Sequence, residues 1–457
     1  MPVPEREELI DRIWQRDPTV WTGRDEAHWL GWLDEPLRME ERVGELEQFA
    51  DAVADERLDA VVLLGMGGSS LAPEVLRRTF RGESFHVVDT THPRALRALE
   101  ERIDLGRTLF VVASKSGSTL ETRCHADYFW ERAGRDGSRF VAITDPGTEL
   151  ERLAEERGFR RVFAGEPTIG GRYSALSAFG MVPAALMGLD VARLVANASR
   201  MADLCRSGSG NPGYELGRVL GTGWRAGRDK VCIADTDGDF GLWAEQLIAE
   251  STGKDGKGLV PAPGEPPDGP DREGVQPQIA DPYSVGGEFF RWEFAVAVAG
   301  AFLELDPFDQ PDVEASKAAT QAVLASGTEP RLDAGGSLDR LLEQAEEGDY
   351  VCVQAFVEPS ADNERRLADL VRKLRRRTGL VVTHGYGPRY LHSTGQLHKG
   401  GPNTGVFLQL VDDPGDEISI PNRSFGFRRL IRAQAEGDYV ALQDRGRRIA
   451  RIHIEEA

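Results

Sequence analysis

At 457 residues, with 40% hydrophobic and 28% charged side chains, the chain is globular in composition and long enough for two or three domains with a large core. Its net charge of -20 repels nucleic acid and anionic lipid, so neither is expected as a partner. No apolar run reaches the roughly 18 residues of a membrane helix, and Met1-Pro2-Val3-Pro4-Glu5-Arg6 has no signal-peptide core, so a soluble cytoplasmic protein is expected. The cysteines, Cys124, Cys205, Cys232 and Cys352, lie far apart with no CxxC pair, which predicts reduced thiols and no zinc cluster. An acidic chain that binds an anion must gather its cations locally. A site is therefore sought where Lys and Arg sit in Gly- and Ser-rich loops. Acidity of this size also suits a high-salt habitat, a point that composition leaves open.

Residues 1–58 read as a polar helical arm in which Trp14, Trp21, Trp29 and Trp32 are packing anchors. From Asp59 short apolar runs alternate with helical segments. Strands are expected at Ala60–Leu64, Phe85–Asp89, Thr108–Ala113, Phe140–Thr144 and Arg161–Phe163, and helices at Leu71–Thr79, Pro93–Ile103, Leu120–Ala133 and Thr148–Arg157. That alternation predicts βαβ units in a parallel sheet, with ligands at the carboxyl ends of the strands. A linking helix is read at Ser174–Met187. A second α/β region follows, with strands at Lys230–Ala234, Tyr350–Val357, Leu380–Thr383 and Gly405–Leu410. Pro261–Asp281, rich in Pro, Gly and Asp, reads as a long surface loop. Val285–Glu304 reads as a helix buried between domains. The expected architecture is thus two doubly wound α/β domains, 59–190 and 191–457, behind the 1–58 arm.

Chemistry concentrates in six stretches. In Val111-Val112-Ala113-Ser114-Lys115-Ser116-Gly117-Ser118-Thr119-Leu120-Glu121-Thr122, a strand empties into hydroxyls and a lysine at a helix start, which suits a phosphate monoester. The plainer reading is a capped strand–turn–helix. Gly65-Met66-Gly67-Gly68-Ser69-Ser70 invites a dinucleotide, with Asp89 placed like a ribose-binding acid, but Ser70 stands where the third glycine of that fingerprint belongs. Gly170-Gly171-Arg172-Tyr173-Ser174 lets backbone approach a ligand and places a guanidinium beside it, unless Arg172 is merely a solvent-facing helix entry. In Trp243–Lys254, Gln246 and Glu250 are four apart on one helical face, where Glu250 suits proton transfer, while Glu245 reads as solvated. Asp306-Pro307-Phe308-Asp309-Gln310-Pro311 leads into a helix carrying Lys317. The loop Arg389–Thr404 holds His392 and His398, the natural acid–base groups near neutrality. A metal held by His384, His392 and His398 lacks the i, i+4 spacing of helical ligands.

Taken together these motifs resemble the phosphoglucose isomerase family over about residues 55–330, and most of all the isomerase half of bacterial proteins that fuse transaldolase to phosphoglucose isomerase. The resemblance implies two sugar-isomerase (SIS) type α/β domains and an aldose–ketose isomerase, an intramolecular oxidoreductase, acting on glucose 6-phosphate and fructose 6-phosphate without a cofactor. It implies that Ser114, Lys115, Ser116 and Thr119 hold the phosphate, with Gly68, Ser69 and Gly171 lining the site and Gln246 touching substrate. Glu250 would move the proton between C1 and C2, Arg172 would stabilise the enediolate, and Lys317 would help ring opening together with a histidine. Here no histidine lies between His125 and His384, so that histidine must be His392 or His398, with His392 the better match. In the family it comes from the neighbouring subunit, which implies a homodimer. Activity on mannose 6-phosphate, a non-catalytic sugar-phosphate sensor and a nucleotide-dependent oxidoreductase are the other readings. The sensor has no need of Glu250, Arg172 and Lys317.

Overall fold

The structure, a computed structural model, describes residues 4–56, 58–333 and 335–457; Met1–Val3 and Arg57 of the expected arm, and Ala334, lie outside the described residues. Five parallel strands, β1 (Ala60–Gly65), β2 (Phe85–Val88), β3 (Thr108–Ala113), β4 (Phe140–Thr144) and β5 (Arg161–Ala164), form one sheet in the order β2-β1-β3-β4-β5. Every residue of β1, β3 and β4 is buried. A sheet covered on both faces needs continuous apolar runs, which is why these strands were plain in the sequence. Each buried Val or Leu contributes about 1.5–3 kcal/mol of transfer free energy. Helices Leu71–Phe80, Pro93–Glu100, Leu120–Arg132 and Glu149–Glu156 connect the strands. The linking helix starts at Ala178, later than expected, because the Ser177 side chain caps it by accepting from the Phe179 N–H. Gly65 pairs with Ala113 in register, so the loops after β1 and β3 leave the sheet side by side at its carboxyl edge.

The second region holds two parallel sheets. In one, β6 (Lys230–Ile233) lies between β7 (Val260–Pro263) and β8 (Arg272–Val275); the other, in the order β10-β9-β11-β12, contains β9 (Tyr350–Phe356), β10 (Val381–Tyr386), β11 (Gly405–Val411) and β12 (Arg448–His453). The reading of Pro261–Asp281 as a long surface loop is therefore wrong: it contains most of β7 and all of β8. Pro261, Pro263 and Gly274 hide these strands, and they are tolerated because both strands are edges of their sheet. β12, Arg-Ile-Ala-Arg-Ile-His, likewise lacks an apolar run and gives no strand signal in the sequence. Helix Val285–Leu303 is buried along its whole length, packed on helices Val191–Arg206 and Pro212–Arg225. Within it Arg291 pairs with Glu288 at 3.0 Å, whereas burial raises the Glu293 carboxyl well above its ordinary range. Among the described residues no helix is long and apolar enough to cross a membrane.

The N-terminal arm braces the loops that carry the candidate site. Trp32, fully buried, stacks on Tyr173 at 5.4 Å, and Trp21 meets Phe308 edge-on at 5.1 Å while donating to the Ala297 carbonyl at 2.8 Å. Truncating such a ring to alanine costs about 3–5 kcal/mol. Trp14 and Trp29 are only partly buried against the same core.

Candidate active site

β3 runs out into Ser114–Thr119, and the 13-residue helix Leu120–Arg132 begins at once. Thr119 does not cap that helix with its side chain; its hydroxyl pairs instead with Ser114 Oγ at 2.9 Å. The first turn thus goes without the N-cap hydroxyl as acceptor, a condition that favours an anion. Gly117, at φ +68°, makes the turn, and a Cβ there would stand 2.6 Å from Thr148 Cβ. The loop borders a cavity of about 350 Å³ whose walls include Ser116, Ser118, Thr119, Lys317, His392 and Gln434. That volume lies at the small end of ligand pockets. Lys115 does not line this cavity. Its ammonium pairs with the Asp145 carboxylate and donates to the Glu166 carbonyl at 2.8 Å. Burial pushes the Asp145 carboxyl above its usual range despite that lysine. The cation on the cavity wall is Lys317, carried on helix Val313–Ala325.

The turns after β1 and β5 interlock beside this loop. A Cβ on Gly68 would lie 1.9 Å from the Gly171 carbonyl oxygen, and one on Gly67, at φ +54°, would lie 2.7 Å from the His392 carbonyl oxygen. Only glycine permits both contacts. Ser69 is buried in the same turn. Arg172, 1% exposed, is not solvent-facing: Nε donates to Ser251 Oγ at 2.7 Å, Nη1 to Gln310 Oε1 at 2.7 Å, and Nη2 to the carbonyls of Pro307 and Asp309 at 2.7 and 3.0 Å. Its Nη1 also stands 3.8 Å from Glu250 Oε2. Helix Gly241–Thr252 presents Gln246 and Glu250 on that same side, and Gln246 Nε2 donates to Glu250 Oε2 at 3.1 Å and to the His392 carbonyl at 2.9 Å. Gln246 Oε1 is buried with no hydrogen-bond partner, an acceptor left over beside the carboxylate.

The chain returns from β10 to complete the cluster. The turn Arg389–His392 brings His392 Nε2 to Glu121 Oε1 at 3.0 Å. Burial alone would raise the Glu121 carboxyl, but the imidazole beside it outweighs burial and the group sits below its ordinary range. His398 is not brought here. It is 3% exposed between the rings of Tyr390 and Phe407, with Nε2 at 3.6 Å from Cys352 Sγ, and burial pushes it down to about 3. A base that weak stays neutral near pH 7 and belongs to the core. Glu250, Gln246 and Arg172 thus meet within one chain, and the His392 backbone carbonyl joins them through Gln246.

Several residues were missed in the sequence. Glu121 follows the hydroxyl loop by two positions, and Gln310 lies inside the quoted Phe-Asp-Gln-Pro stretch; both were legible as motif members. Lys254, 1% exposed, donates to the carbonyls of Asp306 and Asp309 at 2.7 and 2.5 Å, and burial beside Arg172 lowers it to about 8. Glu245 is half-buried rather than freely solvated, and desolvation raises it to about 8, against the pull of Arg389. Asp89 is engaged by the same Arg389 at 3.7 Å, which leaves it committed to an ion pair rather than poised for a ribose. Among the described residues no group of three or more His, Cys, Asp or Glu side chains could hold a metal ion.

These parallel sheets, with hydroxyl- and glycine-rich turns at the carboxyl edge and Glu250, Arg172 and His392 on neighbouring elements, define a doubly wound α/β protein with a candidate ligand site at that edge. The same fold is seen in the glucose-6-phosphate isomerase of Chlamydia trachomatis D/UW-3/Cx, which superimposes with a TM-score of 0.58 at 18% identity over 71% of this chain and 85% of that one. Residues 42–208 match the family model of phosphoglucose isomerase. The glucose-6-phosphate isomerase of Synechococcus sp. (strain JA-3-3Ab) is 34% identical over 215 residues, 43% of this chain and 40% of that one. The probable glucose-6-phosphate isomerase of Haloarcula marismortui is 33% identical over 227 residues, 47% of this chain and 52% of that one. The chain spans about half the length of the curated relatives it matches.

Proposed function

We propose that this protein is an aldose–ketose isomerase that interconverts D-glucose 6-phosphate and D-fructose 6-phosphate, the step shared by glycolysis and gluconeogenesis. The observation that carries the reading is the Glu250 carboxylate, held by Gln246 at 3.1 Å with the Arg172 guanidinium at 3.8 Å, and joined through Gln246 to the carbonyl of His392, a residue that lines the cavity bordered by Ser116–Thr119. In this reading the phosphate sits on the N–H groups and hydroxyls of Ser114, Ser116 and Thr119, with Lys317 supplying charge. Lys115 acts indirectly by tethering the loop to Asp145. His392, backed by Glu121, passes a proton between the ring oxygen and C1–OH as the sugar opens. Glu250 takes the proton from the carbon next to the carbonyl and returns it to the neighbouring carbon. Between those steps negative charge collects on oxygen, and a buried guanidinium with its other donors already committed stabilises it without reorganising. No electron acceptor is required, because the electron pair only moves from one carbon to the next.

The test follows fructose 6-phosphate conversion without added cofactor in the wild type and in Glu250→Gln. The substituted amide keeps the acceptor that Gln246 uses, so the fold is retained while the base is lost, and kcat is expected to fall by about 10²–10⁴-fold. Substantial turnover in Glu250→Gln would sink the base assignment. Binding of fructose 6-phosphate without turnover in the wild type would make the protein a sensor.

A further inference from the structure

Behind His392 runs a hydrogen-bonded chain assembled from four distant parts of the sequence. Glu121 Oε1 accepts from His392 Nε2 at 3.0 Å and from Gln434 Nε2 at 2.7 Å, and Gln434 Oε1 accepts from the Thr91 hydroxyl at 2.6 Å. Thr91 follows β2, Glu121 opens helix Leu120–Arg132, and Gln434 lies on helix Phe427–Asp444, which packs against the Lys317 helix. Gln434 is 2% exposed and Thr91 fully buried, yet Gln434 also reaches the wall of the cavity that His392 lines. A carboxylate only accepts, so the amide must turn its NH2 group towards Glu121; the Thr91 hydroxyl donating to the far oxygen fixes that direction.

We propose that Gln434, oriented by Thr91, is a positioning residue for the proposed reaction: it holds the Glu121 carboxylate where His392 Nε2 meets it, and so sets the tautomer and angle of the imidazole. The inference rests on the isomerase reading above for its kinetic arm, but not for its spectroscopic one. A buried carboxylate oxygen with two donors has one place to be. With Gln434 removed, Glu121 Oε1 loses one of its two side-chain donors, and the carboxylate and imidazole are free to rotate together about the Glu121 side chain.

The experiment compares Gln434→Leu, Thr91→Val, Glu121→Gln and the Gln434→Leu/Glu121→Gln double variant, with kcat and KM measured on fructose 6-phosphate. A second measurement is the 15N spectrum of histidine-labelled protein, in which His392 is assigned by its loss in His392→Ala. Gln434→Leu is expected to lower kcat by about tenfold to a hundredfold, the scale for a displaced catalytic group, with KM within about twofold. The double variant should be no slower than Glu121→Gln alone, because Gln434 acts only through Glu121. The His392 nitrogen resonances should shift in both Gln434→Leu and the isosteric Thr91→Val, the latter covering the case in which the leucine does not fold. Additive kinetic losses, or unchanged His392 resonances in both single variants, overturn the proposal. If the wild type shows no isomerase activity, the functional reading fails, and the resonances alone decide the positioning.

Discussion

A methyl group added at Gly68 would stand 1.9 Å from the Gly171 carbonyl oxygen, where side-chain Cβ atoms essentially never come closer than 3.0 Å. The two turns must part by roughly 1 Å to admit Gly68→Ala, because neither backbone sits in a gap that could absorb the atom. Such overpacking costs about 1–3 kcal/mol of stability. The kinetic cost should be larger. Arg172 follows Gly171 directly, and a displacement of about 1 Å at a reacting centre can remove around 10² in rate. Gly171→Ala is the internal control, since a Cβ there has no heavy atom within 4 Å and should leave the melting temperature unchanged. The assay is steady-state isomerisation at several fructose 6-phosphate concentrations, with thermal melts on the same preparations. Gly68→Ala is expected to lose kcat heavily and to melt lower. The reasoning fails if Gly68→Ala matches the wild type in both, or if Gly171→Ala melts lower than Gly68→Ala.

His392→Ala should lower kcat by about 10²-fold, whereas His398→Gln should keep turnover per folded molecule and lose about 1–3 kcal/mol of stability instead. Equal kinetic losses in the two would refute the choice between them. Because His392, Gln246 and Glu121 meet within one chain, mixed and refolded His392→Ala and Glu250→Gln chains should not regain activity; recovery would show that the histidine acts across subunits. Glu245 is raised from 4.5 to about 8 by burial, so the folded state keeps its proton where the unfolded chain has lost it. Its contribution to stability is full below about pH 4.5 and is lost as the pH rises through 8. Glu245→Gln should therefore flatten the fall of melting temperature between pH 5 and 9. Some slope should remain, since Glu35, raised to about 7, titrates in the same window. Identical slopes in variant and wild type would contradict the assigned burial.

Legibility in the sequence followed the kind of signal each element carries. β1, β3 and β4 announce themselves because covering a sheet on both faces requires unbroken apolar runs. β7 and β8 were lost because edge strands tolerate the Pro and Gly that mark loops elsewhere. Residues within a compact motif, such as Gln246 and Glu250, were found together because helical spacing alone puts them on one face. Glu121 and Gln310 stand in motifs that were quoted, yet nothing local says that one meets a histidine 271 residues away or that the other receives Arg172. Gln434 has no local signal at all.

The amino-acid sequence by itself determined the alternation of strand and helix, the glycine and hydroxyl turns at the carboxyl ends of β1 and β3, and the residue types able to hold an anion and move a proton. These are properties of neighbours in the chain, governed by periodicity, turn chemistry and short-range sterics. The tertiary structure decided the rest: that His392 meets Glu121 while His398 is buried against Cys352, that Lys115 is committed to Asp145 while Lys317 lines the cavity, and that Glu245 is half-buried within the field of Arg389. Each of those choices turns on which side chains desolvate one another across distant segments. That is set by the packing of whole sheets and helices, and no spacing rule along the chain encodes it.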